Sequence, residues 1–196
     1  MAPPMELLGI RPRRGLAACA ALAALVCLTA PGGAEARRPD VVMIVFDEFP
    51  SVSLLDRHGR VDRVRYPAFA SLAAGGDWFP NATASVDETG RAMEALLTGS
   101  TPGRRHPVTF EANPRNLFTL LGGRYRVVAS QEVTAMCPLA LCARAVLPTR
   151  TDILHELAGG RPERFASWVR SIGRGKRATF YFKHVLLPHV PLRYLP

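Results

Sequence analysis

The chain has 196 residues, 48% of them hydrophobic, and a formal net charge of +9, a size that gives one domain its own core. The charge is mostly arginine scattered along the chain, which argues against a nucleic-acid-binding face. The densest run, Arg170 to Arg177 (RSIGRGKR), has no interleaved aromatics to stack bases and reads as a solvated turn after a helix. A basic surface of this kind still attracts anionic substrates or anionic lipid headgroups.

In chain order, Arg11, Arg13 and Arg14 precede the apolar run Leu16 to Ala30, which Pro31-Gly32-Gly33 breaks. With Ala34-Glu35-Ala36 as a small-x-small cleavage site, residues 1–36 read as a signal peptide. The run is short for a membrane span. An uncleaved signal anchor, tethering the protein to a membrane through its N-terminus, is the alternative. Either reading places the rest of the chain outside the cytoplasm, secreted or membrane-tethered. Cleavage after Ala36 removes Cys19 and Cys27 and leaves Cys137 and Cys142, with Pro138 between them. Such a pair suits a disulfide in an oxidising compartment, two buried thiols being the alternative. A metal role for them lacks a further Cys or a nearby His.

Val41 to Phe46 is an uninterrupted apolar run that stops at Asp47 and Glu48, with Pro50 just beyond. A short run without alternation predicts a strand buried on both faces of a parallel sheet. Ligands bind beyond the carboxyl ends of such strands, where two acids suit either a divalent cation or acid–base work. A solvated acidic turn is the plainer reading. After a polar passage, Pro67 opens a helix (PAFASLAAGG) with Phe69, Leu72 and Ala73 on one face, and Trp78-Phe79 is expected to return the chain to the core. Thr89 to Gly99 (TGRAMEALLTG) predicts a helix with Met93, Leu96 and Leu97 at helical spacing and Gly99 as its C-cap. A short helix over Asn113 to Leu121, a strand over Tyr125 to Ala129, helices over Thr151 to Ala158 and Pro162 to Ile172, and a strand over Ala178 to Val185 follow. The alternation predicts an α/β fold with a largely parallel sheet flanked by helices.

Thr89 stands at a helix start, where free amides and the positive end of the dipole make an anion site. A metal-activated Thr oxygen there could attack a phosphoryl or sulfuryl centre. The competing reading is a simple N-cap, and Ser85 three residues before Glu88 has the form of a capping box. His189 lies between Pro188 and Pro191 just after the last strand, which suits contact with substrate or metal as well as it suits a plain loop. His184, inside that strand, reads as buried and hydrogen-bonded. His58, His106 and His155 have no evident partner.

Taken together, these features resemble the sulfatase-like hydrolase/transferase proteins of the alkaline-phosphatase-like superfamily. VVMIVFDEFP resembles the family's first strand, which ends in paired metal-binding acids. Tyr66 to Ala73 with Trp78 to Ala82 is similar to the family's P-N-L-x-x-L-A helix and the segment after it. Ala95-Leu96-Leu97-Thr98-Gly99 resembles the A-L-L-T-G that follows the nucleophile, and Pro188-His189-Val190-Pro191 resembles P-H-x-P, whose His contacts the transferred group. The resemblance covers Pro39 to Pro196 and implies that residues 37–196 are the N-terminal part of a sulfatase-like domain. It implies Thr89 as nucleophile, Asp47, Glu48 and Thr89 as ligands of one divalent ion (Zn, Mn, Mg or Ca not distinguished), and His189 as a substrate contact. The implied substrate is an anionic ester, with a glycan or lipid headgroup among the candidates.

The departures narrow this. Thr89 is followed by Gly90 and Arg91, with Met93 where sulfatases carry Arg, so formylglycine cannot form and a phosphoric ester is favoured over a sulfuric one. Glu48 stands where Asp is commoner. The Asp-His or Asp-Asn pair that completes the family's metal site does not follow His189. The 196-residue chain alone is therefore expected to be inactive or to hold metal poorly. The alternative is a non-catalytic extracytoplasmic binding or remnant protein.

Overall fold

The computed structural model describes residues 38–103, 107–143, 148–173 and 175–190. The signal-peptide segment, residues 1–36, lies outside the described residues.

Strand β1 (Val41–Asp47), strand β2 (Arg126–Ser130) and strand β3 (Thr179–Pro188) form one open, all-parallel sheet in the order β1-β3-β2. The helices are α1 (Pro67–Gly75), α2 (Thr89–Thr98), α3 (Leu117–Gly122), α4 (Arg150–Ala158) and α5 (Arg161–Ser171). The chain is thus mixed α/β, a small parallel sheet flanked by helices.

The doubly buried strand is β3 rather than β1. Thr179 to Leu186 are all buried, because β3 lies between two partners. In β1 the residues alternate, with Val42 43% and Ile44 36% exposed. Its uninterrupted apolar run had predicted burial on both faces; it occupies the edge of the sheet, where one face is only partly covered. The β1–β3 register runs from Val41 opposite Phe180 to Phe46 opposite Val185, then slips so that Asp47 faces Pro188. Asp40 Oδ1 accepts from the Thr179 amide at 2.9 Å and fixes where the two strands start together.

One face of β3 carries Phe180, Phe182 and His184 in alternation. The first two enter a core with Met93 and Leu97 of α2, Phe118 of α3 and Val127 of β2. Phe118 meets Phe182 edge-on at 5.1 Å, the geometry that aromatic quadrupoles favour. The opposite face packs on α5: Phe46 stands 5.8 Å from Phe165, and the Tyr181 hydroxyl accepts from the Gly173 amide. On that face Lys183 Nζ donates to Ser130 Oγ and is paired with Glu132, a buried cation supplied with its anion. The Cys137–Cys142 disulfide forms, Cα–Cα 6.0 Å, and both residues are buried in the core.

Helix ends follow local chemistry. Pro67 opens α1 at the first turn, and Gly99 ends α2 with φ 68°, a left-handed C-cap that glycine adopts without steric penalty. Asn116 caps α3 reciprocally with Thr119, so this helix begins after Asn116 and not at Asn113 as its composition suggested; Asn113 closes the preceding turn onto Thr109. Thr149 and Asp152 form the same device at α4. Two expectations fail around α1. Leu72 is 73% exposed, and Phe79, expected in the core, is also 73% exposed, with Trp78 at the surface beside it. Phe69 alone of the predicted apolar face finds aromatic neighbours, Phe46 and Phe49.

Candidate functional site

The site lies where the carboxyl ends of β1 and β3 meet the start of α2. Asp47 is the last residue of β1 and is 8% exposed. Thr89 is the first residue of α2, and its Oγ1 donates to Asp47 Oδ1 at 3.3 Å. The N-cap position belongs to Glu88, whose side chain makes no capping hydrogen bond. Neither the Thr89 cap nor the Ser85–Glu88 capping box is therefore realised. The Thr89 hydroxyl reaches across to the strand end instead of back to its own helix. Burial raises the Asp47 carboxyl above its usual range, the nearby His189 and the Thr89 hydrogen bond oppose that rise, and the charge of Glu48 adds to it.

Glu48 takes φ 54°, in the left-handed region that non-glycine residues seldom enter, at a cost on the order of 1 kcal/mol. The turn sends its carboxylate away from the β1 axis and over the loop that follows β3. Its Oε1 lies 3.5 Å from His189 Nε2, and its Oε2 accepts from the Val190 amide at 3.3 Å. The structure thus brings the predicted residues together as two pairs, Asp47 with Thr89 and Glu48 with His189, joined by the Asp47–Glu48 peptide. Cys137 and Cys142 stand apart, in the core.

Arg161 was not singled out from the sequence. It opens α5, is buried, and its Nη1 donates to the carbonyls of Leu186 at 2.7 Å and His189 at 2.6 Å. A guanidinium on one carbonyl near the strand end and one just beyond it holds the His189 loop in place. An arginine two residues after Gly159 carries no pattern that reveals this. His184 is buried as expected, yet its Nδ1 has no hydrogen-bond partner among the described residues, so the expected hydrogen bond is absent there.

Asp47, Glu48, Thr89 and His184 line a cleft of about 940 Å³, together with Met93 and Leu96 among others, whereas His189 and Arg161 stand outside its lining. A hard divalent cation needs oxygen donors, and the Asp47 carboxylate and Thr89 hydroxyl supply two that already converge. A buried carboxylate whose charge burial disfavours is suited to a cation. The Glu48 carboxylate is occupied by His189 and Val190. Among the described residues no group of three or more His, Cys, Asp or Glu side chains is gathered closely enough to hold a metal ion. The donor chemistry therefore fits part of a metal site. No protein-family model, curated protein or solved structure matches the chain.

Proposed function

We propose that residues 37–196 are the N-terminal part of a sulfatase-like domain of the alkaline-phosphatase-like fold, acting outside the cytoplasm. Its cleft would serve a metal-dependent hydrolase or transferase of phosphoric esters, the ester being anionic and carried by a glycan or a lipid headgroup. One observation carries this reading: a hydroxyl at a helix start donates to a buried carboxylate 42 residues earlier in sequence, at the carboxyl end of a parallel strand.

The pair has the parts that a threonine nucleophile needs. Asp47 orients the Thr89 hydroxyl and accepts its proton as Oγ1 bonds to phosphorus; the raised proton affinity of the buried carboxyl makes it a better base. The amides at the start of α2 face the developing negative charge. His189, whose ring nitrogens face Glu48 and the Val190 carbonyl, would turn from Glu48 to hydrogen-bond the transferred group or to return a proton to the departing ester oxygen. Asp47 and Thr89, with Glu48 one residue on, would hold a divalent cation, which when bound lowers the pKa of the hydroxyl and neutralises the phosphoryl oxygens.

The test is calorimetric titration of the full chain with orthophosphate in magnesium chloride, for the wild type, Thr89→Val and Asp47→Asn. Each variant is expected to bind about tenfold more weakly, the loss of one charge-assisted contact. Equal binding in all three overturns the reading and leaves a non-catalytic binding protein.

A further inference from the structure

We propose that His184 is a ligand contact at the floor of the cleft, where its ring recognises an uncharged hydroxyl on the alcohol portion of a bound ester. The proposal rests on the phosphoester reading above and names the part of the substrate that Thr89 and Asp47 do not touch.

The argument begins with the alternation of β3. Phe180 and Phe182 precede His184 on one face, and both are packed into the core. Their β1 partners Val41, Met43 and Val45 pack against the same core, with Val45 directly opposite His184. The pattern calls for a third apolar side chain. The chain places an imidazole there, 1% exposed, with no hydrogen-bond partner for Nδ1 among the described residues. A buried polar atom left unpaired costs stability that an apolar residue of similar shape would not.

What distinguishes this position from the two phenylalanines is the cleft. The core face ends at His184, which lines the cleft together with Val45, Met93, Asp47 and Thr89. Val45 lies two residues before Asp47, about 7 Å along a strand. A ligand whose phosphoryl group sits at Thr89 would therefore extend its alcohol toward His184 within a few bonds. Burial, with the charges of Lys183 and His189 adding to it, lowers the His184 pKa to about 4, so at neutral pH the ring is uncharged. An uncharged imidazole opposite Val45 offers one donor and one acceptor, which suits a neutral hydroxyl better than a second anion.

The experiment compares glycerol 2-phosphate, which carries hydroxyls, with orthophosphate, which carries no alcohol portion. Both are titrated calorimetrically in magnesium chloride into the full chain and into His184→Phe and His184→Asn, and the melting temperature of each protein is measured. The wild type is expected to bind glycerol 2-phosphate more tightly than orthophosphate. His184→Phe is expected to lose about tenfold for glycerol 2-phosphate while orthophosphate stays within about twofold, and to melt higher than the wild type. His184→Asn, which keeps a polar atom near the Nδ1 position, is expected to retain part of the preference. A His184→Phe protein that melts lower and keeps the wild-type preference overturns the proposal, as does equal weakening for both probes. A wild type that binds orthophosphate but shows no preference for glycerol 2-phosphate overturns this proposal alone. A wild type that binds neither overturns the phosphoester reading with it.

Discussion

The two halves of β3 are buried to a similar degree and are put to different uses. From Thr179 to Phe182 the strand is packing: Phe180 and Phe182 meet Phe118, and Tyr181 ties the end of α5. From Lys183 onward it is wiring: Lys183 is paired with Glu132, His184 faces the cleft, and the carbonyls of Leu186 and His189 are held by Arg161. The first half makes the sheet cohere, and the second uses that rigidity to hold Lys183, His184 and the strand-end carbonyl of Leu186 out of water. Burial alone therefore says little about what a residue contributes.

The largest expected effect breaks the packing half. Phe182→Ala removes a side chain with no exposed surface and should cost about 4 kcal/mol, a large part of a domain's stability, read as a much lower midpoint in chemical denaturation. Next comes the wired half. Lys183→Met leaves the partly buried Glu132 without its cation and should cost about 3 kcal/mol, whereas adding Glu132→Leu should recover most of that loss if the pair acts as a unit. Recovery separates wiring from packing, because no second substitution of that kind rescues Phe182→Ala.

The smallest effect is a pH dependence in which two groups oppose one another. His184 has a folded pKa of about 4 against an ordinary value of 6.5, so the unfolded chain takes up the proton first. Its contribution is present above pH 6.5 and is lost as pH falls toward 4, on the order of 2 kcal/mol once relaxation around the charged ring is allowed. Asp47 runs the other way. Its folded pKa is raised above 3.8, so the folded state holds the proton more tightly and stability falls as pH rises through that window. Thermal melts across the acid range should show a shallower slope for His184→Phe and a steeper one for Asp47→Asn. Identical slopes in all three proteins would mean that neither group is buried in the way described.

Much of this was legible from local pattern. The strand and helix positions follow from apolar runs, from Pro67 and from Gly99, and the pairing of Cys137 with Cys142 follows from their separation and the turn residue between them. Other features depend on what covers a face, which periodicity does not encode. Leu72 and Phe79 carry the composition of core residues, and no described element packs over them; β1 reads as a central strand and sits at an edge. The site divides in the same way. Asp47, Thr89, Glu48 and His189 could be named as candidates, but their grouping into two pairs rests on a left-handed backbone at Glu48 and on the slip of register after Phe46. Both are responses to tertiary packing. The Arg161 tether was invisible because the groups it holds at Leu186 and His189 are backbone carbonyls, which leave no mark on composition.

The strand order has a consequence for how the chain comes to be folded. Among the described residues β1 and β2 are not hydrogen-bonded to each other; each pairs with β3, and Asp40 finds the Thr179 amide 139 residues later. During synthesis both earlier strands must wait, with unpaired edges and apolar faces in water, until β3 has emerged. Closing so long a loop before any sheet contact repays it favours slow folding and a vulnerable intermediate. Holding factors that mask strand edges should therefore raise the yield of this protein more than changes to its surface charge.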